Sequence, residues 1–105
     1  MVEKFTSENF EEQVLKSSQV VLVDFYADWC VPCKMLAPAV EAAAEKFAGQ
    51  MKTGKLNLDE NLELAQRYGV QSIPTLILFK DGQEAGRTVG MQSKDAIENF
   101  VKAKL

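Results

Sequence analysis

Val20-Val21-Leu22-Val23-Asp24-Phe25-Tyr26-Ala27-Asp28-Trp29-Cys30-Val31-Pro32-Cys33-Lys34 decides how this chain folds. The run from Val20 to Tyr26 is apolar, β-branched and aromatic without polar alternation, the pattern of a central strand covered on both faces. The remainder holds the only two cysteines and the only tryptophan of the chain. Two thiols at Cys-x-x-Cys spacing can close a small disulfide ring, in which Pro32 removes one backbone donor and fixes one φ angle.

Three bland readings of the cysteines fail on chemistry. A structural zinc site wants about four Cys or His ligands, and the chain has two cysteines and no histidine. A permanent crosslink gains little here, because stabilisation by a disulfide grows with the length of the loop it closes. A c-type haem attachment needs a histidine directly after the second cysteine, where Lys34 stands. What remains is a redox pair that opens and closes, with no metal and no cofactor expected.

Outward from this stretch, Asp24 interrupts the apolar run. It reads either as a satisfied buried polar group or as a functional carboxyl. Position favours the second. The strand ends shortly after it, the chain turns at Ala27 and Asp28, and a helix beginning at the cysteines must pack back along the same sheet. Its first turn then returns over Asp24, within one water of a thiol. That helix is predicted from Val31 to Ala48, with Leu36, Val40, Ala43 and Phe47 on one face, Pro38 as a kink and Gly49 as the stop. Its start places Cys30 beside unpaired N–H groups and the positive end of the helix dipole, which favours a thiolate.

Before the central run, Val2–Phe5 is a weak strand. Thr6 and Ser7 are cap candidates for a short helix carrying Phe10 and Val14 on one face. After the long helix, residues 55–59 read as a strand; if it neighbours the central one, Lys55 lies near Asp24 and acts on its charge. Residues 60–68 form a short helix with Leu64 and Tyr68 on one face. Pro74 opens the apolar strand that runs to Phe79. Lys80-Asp81-Gly82-Gln83 is a hairpin turn into an edge strand, Glu84–Val89, with Gly86 as a bulge candidate. Ser93 caps a last helix whose Ile97, Phe100, Val101 and Leu105 face inward. The order βαβαβαββα implies one α/β domain over residues 1–105, a three-layer α/β/α sandwich around a five-stranded mixed sheet with four helices.

Composition agrees with a globular protein: 105 residues, 47% apolar and 26% charged, long enough for a core without a staple. Fifteen acidic residues against twelve basic ones leave a net charge of −3, which argues against nucleic acid or an anionic membrane as partner. No apolar run approaches a secretory signal or the roughly 20 residues of a membrane span. A cytoplasmic, reducing setting is the expectation, and there a lone Cys-x-x-Cys near a βαβ pattern favours transient redox chemistry.

Taken together, Asp24, Trp29-Cys30-Val31-Pro32-Cys33-Lys34, Pro38, Lys55, Ile73-Pro74-Thr75, Asp81-Gly82 and Val89-Gly90 resemble the thioredoxin family over essentially the whole chain. The resemblance implies the thioredoxin fold and its strand order, with a cis peptide at Pro74 facing the cysteines. It implies a substrate groove of Trp29, Ile73, Pro74, Val89, Gly90 and Met91, Cys30 as the exposed attacking thiol and Cys33 as the resolving one. It also implies disulfide-containing protein substrates and an NADPH-dependent thioredoxin reductase, the chain itself being a monomer. Departures from the family pattern bear on redox potential and partner preference. Val31 replaces a usual glycine between the cysteines, Tyr26 stands where tryptophan is frequent, and Met91 is larger than a frequent alanine.

The expected reaction is reduction of protein disulfides by thiol exchange, with Asp24 moving the proton of Cys33, Lys55 tuning Asp24, and Pro32 and Val31 tuning the redox pair. A thiol oxidase or isomerase of the same fold is the first alternative, disfavoured by Pro32 without a neighbouring histidine. A non-catalytic interaction module is the second, disfavoured because both cysteines are present.

Overall fold

The computed structural model describes residues 1–105. Along the chain lie strand Glu3–Phe5 (β1), a short π-helical segment Glu11–Leu15, strand Val20–Tyr26 (β2) and helix Val31–Lys46 (α1). Strand Met51–Asn57 (β3), a 3-10 turn Leu58–Glu60 and helix Leu62–Arg67 (α2) follow. Strands Thr75–Lys80 (β4) and Gln83–Val89 (β5) and helix Lys94–Lys102 (α3) complete the order.

The five strands form one mixed sheet in the order β1-β3-β2-β4-β5. β1, β3 and β2 run parallel, while β4 is antiparallel to β2 and β5 to β4. β2 is therefore the middle strand, and its uninterrupted apolar run is what a strand buried on both faces requires. Alternation sorts its side chains. Val21, Val23 and Phe25 join Phe5, Phe10, Val14, Leu64, Ile77 and Phe79 under the π-helical segment and α2. Val20 and Leu22 join Leu36, Val40, Ala43, Ile97 and Val101 under α1 and α3. Asp24 continues this second row and so faces α1.

Three aromatic rings fasten the first of these layers. Phe10 from the opening helical turn, Tyr68 at the end of α2 and Phe79 of β4 have ring centroids 5.2 to 5.7 Å apart, in tilted and edge-to-face contacts worth about 0.5–1.5 kcal/mol each beyond burial. On the other face, Lys46 Nζ donates to Glu98 Oε1 at 2.7 Å and ties α1 to α3.

Several expectations hold locally. Thr6 caps the opening turn: its Oγ1 accepts from Asn9 N, while Asn9 Oδ1 accepts from Thr6 N at 2.8 Å. Ser93 Oγ accepts from Ala96 N at 3.0 Å. Asp81 and Gly82 both have positive φ, 54° and 78°, as a two-residue hairpin of matching twist demands. The β4–β5 register shifts between Leu78, opposite Gly86, and Phe79, opposite Glu84, so the bulge expected near Gly86 falls at Ala85.

Other boundaries differ. β3 begins at Met51 and ends at Asn57, whereas residues 55–59 were the sequence expectation. Lys52 and the glycine at position 54 disguise its first half. Gly54 is there for space: a Cβ on it would fall on the Phe5 ring of β1. The chain leaves β3 early because Asn57 Oδ1 accepts from Asp59 N at 2.9 Å and starts a turn. α2 is accordingly shorter than 60–68 and begins only after Asn61. α1 stops at Lys46, with Gly49 at φ 89° beyond it, and runs on through Pro38. Ser7 caps nothing, because its N and Oγ both donate to Asn61 Oδ1. Leu105 does not face inward; α3 has ended at Lys102 and Leu105 is 43% exposed.

Candidate active site

The site begins where β2 stops and α1 starts. Cys30 is the residue that caps α1, with extended φ and ψ of −87° and 105°, and its Sγ accepts from Cys33 N at 3.2 Å. Pro32 occupies the first turn, where a missing N–H costs nothing. Cys30 and Cys33 are joined by a disulfide. The Sγ of Cys30 thus lies among the unpaired N–H groups of the helix start, where negative charge on sulfur is favoured.

The disulfide form differs from what was expected of the dithiol. Cys30 is not the exposed partner in this form: each cysteine is only 4% exposed. Both residues pack with Ala27 in a small cluster that Tyr26 and Ile73 cover. What separates the two sulfurs is their neighbours. Cys33, and not Cys30, lines a cavity of about 160 Å³ that Asp24, Tyr26, Asp28, Lys34 and Lys55 also line.

Asp24 is the electrostatic centre of that cavity. It is 6% exposed, and its Oδ1 has no hydrogen-bond partner in the protein. Burial pushes its carboxyl from an ordinary 3.8 up to about 7, against a smaller downward pull from Lys55. Lys55 is the register partner of Asp24 on β3, so both side chains leave the same face of the sheet. Its ammonium group sits 5.5 Å from the ring centroid of Tyr26.

Outside that cavity, the segments flanking β4 and β5 lie on another side of the disulfide, where Ile73 packs against the cysteine cluster. Ile73-Pro74 is a cis peptide. Pro74 O accepts from Gly90 N at 2.8 Å, and Thr75 is the register partner of Val89. The structure thus brings Ile73, Pro74, Val89 and Gly90 together beside the cysteines, Met91 following Gly90 on the exposed rim. Trp29 is 67% exposed, and Val31, Val89 and Met91 are exposed as well. They leave an apolar patch in water beside the disulfide, of the kind enriched at surfaces where proteins meet.

Sequence reasoning missed Asp59. Its Oδ2 accepts from Trp29 Nε1 at 2.8 Å, fixing the indole plane beside the disulfide. An aspartate closing an apolar strand gave no sign of this, because the link spans thirty positions of sequence. Tyr26 was read as the end of the central strand and as a departure from the family pattern, yet it also walls the cavity.

A disulfide at a helix N-terminus, with its second cysteine sharing a buried cavity with an unpartnered carboxyl, defines a dithiol–disulfide oxidoreductase. The family model described as Thioredoxin matches residues 1–103. The chain is 43% identical over 101 residues to a thioredoxin of Rickettsia bellii, covering 96% of both chains. It is 46% identical over 100 residues to a thioredoxin of Pseudomonas aeruginosa, covering 95% of this chain and 93% of that one. To thioredoxin 1 of Synechococcus elongatus it is 48% identical over 100 residues, covering 95% and 94%. The chain belongs to the thioredoxin family and is a protein-disulfide reductase. Disulfide-bonded proteins are its substrates and a thioredoxin reductase returns it to the dithiol, as in the family generally. No helix is long and apolar enough to cross a membrane.

Proposed function

We propose that Cys30 attacks and Cys33 resolves. In the dithiol form the Cys30 thiolate displaces one sulfur of a substrate disulfide, which leaves as a thiolate and takes up a proton. Cys33 then loses its proton to the Asp24 carboxylate, attacks Cys30 and expels the second substrate sulfur. Two electrons pass to the substrate, and the Cys30–Cys33 disulfide is left behind. Lys55 favours the ionised form of Asp24, while Pro32 and Val31 set the poise of the pair. Trp29, Ile73, Pro74, Val89, Gly90 and Met91 hold the substrate segment. The electrons return from NADPH through a flavoprotein reductase, and residues 1–105 act as one monomeric domain in a reducing, cytoplasmic setting.

The observation that carries these roles is the cavity: Asp24 and Cys33 share it and Cys30 does not. A base is needed for the thiol that must lose its proton inside the protein. Cys30 has the helix N-terminus instead. Trapping tests the assignment. Cys33→Ser should accumulate a mixed disulfide with a substrate whose disulfides are intact, such as insulin, whereas Cys30→Ser should not. Accumulation on the Cys30→Ser protein alone would reverse the roles.

A further inference from the structure

We propose that Tyr26 is a positioning residue which holds the Lys55 ammonium group at the mouth of the Asp24 cavity and so sets the pH at which Asp24 takes up a proton. The inference builds on the proposed role of Asp24, but its test reads Asp24 directly and does not need that role to be correct.

The register of β2 and β3 fixes the geometry. Asp24 pairs with Lys55 and Tyr26 with Asn57, so Asp24, Tyr26 and Lys55 project from the same face, with Lys55 diagonal to the tyrosine. All three line the cavity. Lys55 is otherwise exposed. A lysine at such a place carries its charge outward into water on a flexible stem, which would take it away from the carboxyl. The Tyr26 ring, 5.5 Å from Lys55 Nζ, gives the ammonium group an attractive surface beside the cavity. The phenol suits this use, because burial pushes its own pKa upward, helped by Asp28, and the ring stays neutral.

Other charges at the cavity do not replace the pair. Asp28 follows β2 and carries the wrong sign, Lys34 comes from α1, and β4 places the apolar Leu76 opposite Asp24. Lys55 is the group whose charge lowers the Asp24 pKa against burial.

A double-mutant cycle separates this from a simple covering role. The Asp24 carboxyl is titrated by carbon NMR in the dithiol form of the parent, Tyr26→Leu, Lys55→Met and the double variant. Removing the ring both wets the cavity and frees Lys55; only the second effect needs the lysine. A contact of cation–π strength predicts that Tyr26→Leu raises the pKa by about half a pH unit more in the parent than in the Lys55→Met background. Tyr26→Phe, which keeps the ring, should leave the titration in place. Should Tyr26→Leu not fold, Tyr26→Trp serves: a better cation acceptor, it should lower the Asp24 pKa only when Lys55 is present. Equal shifts in the two lysine backgrounds overturn the proposal and leave Tyr26 as a lid. If instead the coupling is found while the pH profile of mixed-disulfide release ignores Asp24→Asn, Tyr26 keeps its role and the proton role of Asp24 falls.

Discussion

Replacing Asp24 by alanine should stabilise the protein at neutral pH while slowing its turnover. The carboxyl is held protonated up to about 7 in the fold, against 3.8 ordinarily. Below the lower value both states bind the proton and the group costs nothing. Between the two values the unfolded chain ionises and the folded one does not, so the penalty grows with pH and levels off once Asp24 ionises in the fold. At about 1.36 kcal/mol per pH unit, the full penalty is about 4 kcal/mol. Alanine removes it but enlarges the cavity, which costs part of the gain. The cavity cost does not titrate. The quantity to measure is therefore the difference in unfolding free energy between variant and parent, by urea denaturation from pH 4 to pH 8. It should grow by roughly 3–4 kcal/mol across that range in favour of the variant. A difference that stays flat with pH would refute the burial of an ionisable Asp24 as the source. Insulin reduction should slow in the same variant, most visibly in release of the mixed disulfide.

Gly54→Ala should cost about 1–3 kcal/mol in denaturant unfolding, because the added Cβ meets the Phe5 ring and Phe5 is fully buried. Glu98→Gln should lower the thermal midpoint at neutral pH and lose its effect in acid. The Lys46 hydrogen bond holds the Glu98 pKa below the usual carboxylate range, so the pair's contribution exists above the unfolded value and is lost as pH falls through the folded one. Val31→Gly should reduce stability by about 0.5–1 kcal/mol through chain entropy, since the Val31 side chain is 62% exposed and little burial is lost with it. An unchanged denaturation midpoint would show that the first turn of α1 is held by the disulfide alone.

Much of this was legible because local chemistry and fold agree. The unbroken apolar run of β2 announced a strand covered twice, Ser93 and Asp81-Gly82 announced a cap and a turn, and Asp24 was conspicuous as the one charge in that run. β3 was only half legible. Its first residues, Met51-Lys52-Thr53-Gly54, lack strand character in sequence: the Lys52 side chain is there to donate to Gln13 O at 2.9 Å, and Gly54 to make room for Phe5. The site followed the same division. Cysteines, Asp24 and Lys55 were found from pattern and position; Asp59 and the second role of Tyr26 depend on which strands become neighbours. The equal burial of the cysteines was hidden too, since it depends on Ala27, Tyr26 and Ile73 packing around both.

β1 has a consequence for how the molecule is made. Its only neighbour is β3, with Glu3 to Phe5 beside Gly54 to Leu56. During synthesis β1 stays unpaired, with Phe5 uncovered, until Gly54 to Leu56 have been made. Every residue of the redox motif leaves the ribosome within that interval. The redox motif and α1 are therefore made before β1 can pair, and that pairing is a long-range contact whose loop-closure cost is met before it is rewarded.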